Sequence, residues 1–134
     1  MLSRKDQKFI KSLKVKKYRM REKSFLVEGS KNVQELLDSD FNVEMVVGTE
    51  EFFANKLRSG SHRNEVINSD LLGQLGTFKT NQDGLAVARM KSFSLDSINF
   101  KDHVFVLDEV GDPGNVGTII RTLDWFGFDH LVCS

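Results

Sequence analysis

The chain of 134 residues is poor in the features that mark secreted and membrane proteins. Its single cysteine, Cys133, excludes an internal disulfide and fits a reducing compartment. No apolar run approaches the roughly 20 residues of a membrane helix, and the N-terminus lacks the apolar core of a signal peptide. We therefore expect a cytoplasmic protein. Because Cys133 lies in an apolar run, we predict that its thiol is buried and unreactive.

The chain has no excess of positive or negative charge overall, but its charges are unevenly distributed along the sequence. The formal net charge is zero, and 28% of the residues are charged. Residues 1–23 contain ten Lys or Arg and two acids, a net charge of +8, so the remainder carries −8. With 40% apolar residues the composition is that of a globular protein. The sequence thus predicts a basic N-terminal arm on an acidic body.

Short apolar runs alternate with helical patterns over the first ninety residues. We predict strands over 25–28, 43–47, 65–67 and 84–90. Predicted helices precede each strand, with Ser3, Thr49 and Ser69 as caps and with Leu57 facing inward. Polar segments over 58–64 and 76–83 are predicted as a turn and a loop. This order predicts a three-layer α/β/α sandwich.

The segment Val15–Lys23 is predicted to be a basic loop that contains one aromatic ring. Cations suit RNA phosphates and a tyrosine ring suits an unstacked base. A merely solvated charged surface is the alternative, and the residues alone do not separate the two. The candidate RNA-binding residues are Lys14, Lys16, Lys17, Tyr18, Arg19, Arg21 and Lys23.

The last thirty residues predict a βαβ unit with a parallel sheet. A strand over Val104–Leu107 precedes a loop that holds the only proline, and an apolar stripe at helical spacing follows. We predict that Asn115 caps this helix, that Gly127 ends it and that a second strand begins near Leu131.

Arg121 lies on the helix face of Gly117 and Asp124, opposite the apolar stripe. An arginine close to the N-terminus of a helix can bind a phosphate, because free N–H groups there favour anions. An ordinary Arg121–Asp124 surface pair is the alternative. A generic phosphate-binding α/β protein is a further alternative, although no Rossmann or P-loop fingerprint is present. The histidines at 62, 103 and 130 are isolated, so no metal site is predicted.

The stretch Val106–Gly127 resembles the first signature motif of the SpoU (TrmH-type) RNA 2′-O-ribose methyltransferases of the SPOUT superfamily. The resemblance implies the first βαβ of a trefoil-knotted domain, S-adenosylmethionine as cofactor, and catalytic roles for Arg121 and Asn115. Arg121 would activate the ribose 2′-hydroxyl. The motif loop comprises Asp112, Pro113, Gly114 and Gly117.

The stretches Lys16–Leu37 and Gln82–Ala88 resemble the substrate-binding domain of the same family, although the second lacks the usual Pro-Gln-Gly. That domain shares its fold with RNA-binding ribosomal proteins, and the resemblance implies rRNA or tRNA as the partner. We expect an RNA-binding domain over 1–91, a linker over 92–102 and a catalytic fragment over 103–134.

The motifs that form the family's knot do not follow Ser134 in this sequence. We therefore expect an N-terminal portion of a methyltransferase that binds RNA, has no cofactor-binding residues and is inactive alone. The resemblance implies a homodimer for the complete enzyme, and we do not expect that dimer without the knot. A non-catalytic RNA-binding module is the alternative function.

Overall fold

A computed structural model of the protein describes residues 2–56, 62–77, 83–94, 96 and 98–134. The predicted turn over 58–64 and loop over 76–83 lie partly outside these residues, and Leu57 and Gln82 lie wholly outside them. The chain divides into two compact units, Met1–Lys91 and Ser92–Ser134. No helix in the described ranges is long and apolar enough to cross a lipid bilayer.

Unit 1 alternates helices and strands as predicted, with one additional helix. Its elements are α1 (Arg4–Ser12), α2 (Lys16–Glu22), β1 (Ser24–Glu28), α3 (Ser30–Leu37), β2 (Val43–Gly48), α4 (Glu50–Lys56), β3 (Arg63–Val66), α5 (Ser69–Leu75) and β4 (Gly84–Arg89). The four strands form one sheet in the order β1-β4-β2-β3. β4 is antiparallel to both its neighbours, whereas β2 and β3 are parallel.

Alternation along the central strands sends side chains to two separate cores. Met45 and Val47 of β2 join Ile10 and Leu13 on the side of α1 and α5. Val46 of β2 packs instead with apolar residues of α3 and α4. A sheet buried on both faces between pairs of helices is the predicted three-layer α/β/α arrangement.

The basic segment is a helix, not the predicted loop. α2 begins after the extended residue Val15 and ends at Lys23, which adopts a left-handed conformation at φ 52°. A left-handed residue just after a helix is an ordinary way to stop it, although glycine is the usual choice. The prediction failed because this helix has no apolar stripe and none of its residues is fully buried.

Unit 2 contains β5 (Val104–Leu107), α6 (Pro113–Trp125) and β6 (His130–Cys133). β5 and β6 pair in parallel, so the predicted βαβ unit is present. Gly127, at φ 73°, follows the helix as predicted. The prediction of a buried cysteine is wrong, because Cys133 is exposed at the end of β6.

Candidate functional site

The N-terminus of α6 is built by Asp112 and Pro113. Asp112 is the residue that caps the helix, and its Oδ1 accepts a hydrogen bond from the backbone N–H of Asn115 at 2.7 Å. Pro113 occupies the first turn, where a missing N–H costs nothing and the fixed φ suits a helix. The helix therefore begins earlier than predicted, and Asn115 lies in its first turn instead of capping it.

The loop between β5 and the cap is fixed by the C-terminal residue of the chain. The Ser134 hydroxyl donates to Asp108 Oδ1 at 3.0 Å, and it accepts from the N–H of Glu109 at 2.9 Å. Glu109 adopts φ 53°, a left-handed conformation that is uncommon for residues other than glycine. The turn after β5 is thus bonded to the residue that follows β6, and the helix cap comes three residues after this turn.

Arg121 lies on the open face of α6 and is exposed. Its Nη2 donates to Thr118 Oγ1 at 3.2 Å. A Cβ built on Gly117 would lie 3.3 Å from Arg121 Nη1, so the guanidinium extends back across the helix over that glycine. Among the described residues Arg121 forms no ion pair, so the alternative of an Arg121–Asp124 pair is wrong.

Thr118, the residue that contacts Arg121, was not predicted from the sequence. Its hydroxyl donates to the backbone carbonyl of Gly114, one turn earlier, at 2.9 Å. Because that proton is used, the remaining lone pairs of the oxygen are oriented to accept from Arg121. The signal was available in the sequence, because a threonine three residues before an arginine shares its helix face.

The helix α2 is tied at both ends to its surroundings by arginines. Arg19 Nη1 donates to the carbonyls of Leu13 at 3.0 Å and Lys14 at 2.8 Å, which closes the joint between α1 and α2. At the other end, Arg89 Nη1 of β4 donates to the carbonyl of Glu22 at 3.0 Å. The orientation of α2 is therefore set by the backbone around it.

The side chain of Lys14 also forms hydrogen bonds with the backbone. Its ammonium group donates to the carbonyls of Gln74 and Gly76, at the C-terminal end of α5. Cations at this position interact favourably with the partial negative charge of a helix C-terminus. Lys14 therefore fastens the joint between α1 and α2 onto α5.

The remaining candidates on α2 point outward. Arg21 pairs with Glu22 and lies 4.9 Å from the centre of the Tyr18 ring. Lys16, Lys17 and Lys23 are exposed, and none forms an ion pair within the part of the chain that the structure describes. The sequence pattern identified these cations, but only the structure separates the outward ones from Lys14 and Arg19.

No cluster of three or more His, Cys, Asp or Glu in the described ranges is arranged to hold a metal ion. Asp112, Gly114 and Asn115 at the start of α6 are all exposed, and so is Arg121 further along the helix. These residues therefore do not by themselves enclose a small-molecule ligand.

A sequence model of the MRM3-like substrate-binding domain matches residues 5–86. The chain is also 35% identical over 123 residues to the 23S rRNA (guanosine(2553)-2′-O)-methyltransferase RlmP of Bacillus subtilis, a match that covers 91% of this chain and 48% of RlmP.

Two solved structures are similar over nearly the whole chain. An RNA methyltransferase of the TrmH family from Porphyromonas gingivalis superposes with a TM-score of 0.80 at 35% identity, covering 99% of this chain and 52% of that one. An AdoMet-bound rRNA methyltransferase from Sinorhizobium meliloti superposes with a TM-score of 0.77 at 28% identity, covering 99% and 53%. The chain thus spans about half the length of these relatives. The predicted α/β fold and the resemblance to the SpoU (TrmH-type) family are confirmed.

Proposed function

The chain belongs to the family of the MRM3-like substrate-binding domain, and we propose that it is the RNA-recognition portion, with the first catalytic motif, of an RNA 2′-O-ribose methyltransferase. The observation that carries this proposal is the exposed Arg121, held by Thr118 on the helix of a βαβ unit. The relatives give the substrate class, ribosomal RNA. We propose that the protein acts in the cytoplasm.

The proposed task of Arg121 is to hold the oxygen of the ribose 2′-hydroxyl in position for attack on the methyl group. A guanidinium keeps its charge and has only donors, so it orients the hydroxyl and stabilises the growing negative charge on oxygen. Removing one such donor typically lowers turnover about 10²–10³-fold. We propose that Asn115, six residues earlier, helps to form the same site, together with the loop Asp112, Pro113, Gly114 and Gly117.

S-adenosylmethionine supplies the methyl group when it is bound to enzymes of this family. In this chain the residues at the start of α6 are exposed and do not enclose a ligand, so they do not fit the cofactor by themselves. We propose that the 134 residues alone neither bind it nor methylate RNA. We also propose that the chain alone does not form the homodimer that the resemblance implies for complete members.

The RNA surface that we propose is the outer face of α2. Lys16, Lys17 and Lys23 would contact phosphates, while Tyr18, backed by Arg21, would offer a ring to an unstacked base. We propose that Lys14 and Arg19 support this surface by positioning α2, because their donors are used by backbone carbonyls.

Two measurements test these proposals. In the first, the chain is titrated with a transcript of the 23S rRNA segment that contains the equivalent of guanosine 2553, at about 50 and 200 mM salt. We expect binding that weakens steeply with salt, because phosphate contacts release counterions. Absence of binding at the lower salt would contradict the proposed function.

In the second measurement, the chain is joined to the remainder of RlmP, and methyl transfer to the same transcript is measured. Arg121→Ala should lower the rate at least about 10²-fold. Asp124→Ala, on the same helix, should leave the rate within about twofold, because most exposed side chains away from the reacting atoms contribute little. Binding by the chain with methylation that is indifferent to Arg121→Ala would favour the alternative, a non-catalytic RNA-binding module.

A further inference from the structure

The outer face of α1 carries a row of cations that lies outside the segment discussed so far. Arg4, Lys8 and Lys11 recur at spacings of four and three residues, so they share one face of the helix. All three are exposed, and the opposite face of α1 is the one that buries Ile10. At a rise of 1.5 Å per residue, the row is about 10 Å long.

This row is not neutralised within the described part of the chain. None of its three side chains forms an ion pair there. The only acid on α1, Asp6, accepts a hydrogen bond from Ser3 and pairs with Arg63 of β3 at 2.8 Å. The one carboxylate on α1 is thus already paired with groups outside the row.

The row does not stabilise the helix that carries it. Like charges three and four residues apart repel and weaken a helix. On the other side of the sheet, α3 uses the same spacing for an opposite-charge pair, Lys31 with Glu35. A surface that concentrates repulsion without a local partner is suited to a partner of opposite charge.

We propose that Arg4, Lys8 and Lys11 form a second contact surface for RNA phosphates, beside the one on α2. Lys11 precedes the first residue of α2 by only five positions, so their Cα atoms are at most about 18 Å apart. The contact is to the backbone, so it adds affinity without sequence preference.

This inference rests on the proposed RNA binding, and the experiment separates the two. Three double variants are compared with the unmodified chain on the same 23S rRNA transcript: Lys8→Gln with Lys11→Gln, Lys16→Gln with Lys17→Gln, and a control, Lys31→Gln with Lys101→Gln. Each variant removes two charges, and glutamine has a helix propensity close to that of lysine. Circular dichroism melts confirm that each variant is folded.

We expect the α1 and α2 variants each to flatten the plot of log K against log salt by about 1.4, which is 0.7 for each lost phosphate contact with single-stranded RNA. The control should keep the slope of the unmodified chain. If the α2 variant flattens the slope while the α1 variant equals the control, the second surface is refuted and the proposed function survives. If the unmodified chain does not bind RNA, the proposed function itself fails. If α1 variants lose binding only to an acidic peptide such as polyglutamate, the row serves an acidic protein partner and the inference is wrong.

Discussion

Replacing Lys14 should cost stability, although most cations of the cluster to which it belongs face solvent. Lys14→Met keeps the length and the apolar stem of the side chain but removes the donors to the carbonyls of Gln74 and Gly76. Hydrogen bonds with one charged partner contribute about 1.5–3 kcal/mol, and competition from water at this partly exposed site reduces that to about 1 kcal/mol. A unit of about ninety residues then loses roughly 4–8 °C in its melting temperature.

Lys16→Met is the matched control, because Lys16 is exposed and has no ion pair with a described residue. Its free energy of unfolding should change by no more than about 0.5 kcal/mol, as is usual for a surface substitution. In the salt titration the larger effect should come from the other variant. Lys16→Met should flatten the plot of log K against log salt by about 0.7, and Lys14→Met should leave it unchanged. Equal melting temperatures for the two variants, together with a flatter slope for Lys14→Met, would refute the assignment of Lys14 to a supporting role.

Two further perturbations test the core and a surface charge. A Cβ on Gly84 would lie 2.8 Å from the ring of Phe52, so Gly84→Ala should lower the free energy of unfolding by about 1–3 kcal/mol in urea titrations. Gly73→Ala, in the open middle of α5, should instead raise it by up to about 1 kcal/mol, and equal effects would contradict the packing described. The hydrogen bond from Ser3, followed by the contacts with Arg63, lowers the pKa of Asp6, so its stabilisation is complete above the ordinary carboxyl pKa and is lost as pH falls through the lowered value. Asp6→Asn should therefore flatten the dependence of melting temperature on pH between about 5 and 2.

The sequence allowed the sandwich to be predicted because its strands and most of its helices bury apolar residues with a clear period. Val46 and Val47, on opposite sides of one strand, are both fully buried, and runs of this kind mark a strand covered on two faces. α2 could not be predicted in that way. It buries no residue fully, and it is held by Arg19 and Arg89, which bond to carbonyls that no sequence period reveals.

The prediction of the residue that caps α6 was wrong for a different reason. Asp112 followed by Pro113 is itself a signal for the start of a helix, but the glycine that follows suggested a longer loop. The face shared by Gly117 and Arg121 followed correctly from helix geometry alone. What the sequence left open was which donor or acceptor each side chain would meet, because that depends on rotamers and on competing partners.

The spacing of the motif Asp112-Pro-Gly-Asn-Val-Gly117 fits the contacts between the helix cap and the Arg121 guanidinium. A Cβ at Gly114 would lie 3.1 Å from the Asp112 oxygen that caps the helix, so a side chain there would press on the cap. A Cβ at Gly117 would press on Arg121 instead, at 3.3 Å. Between them the Gly114 carbonyl accepts from Thr118, and Thr118 accepts from Arg121, each about one turn further along. At about 100° per residue, Gly114, Gly117, Thr118 and Arg121 lie within an arc of about 100° of the helix, so moving Arg121 by one residue would carry it away from one of its two neighbours, Gly117 or Thr118.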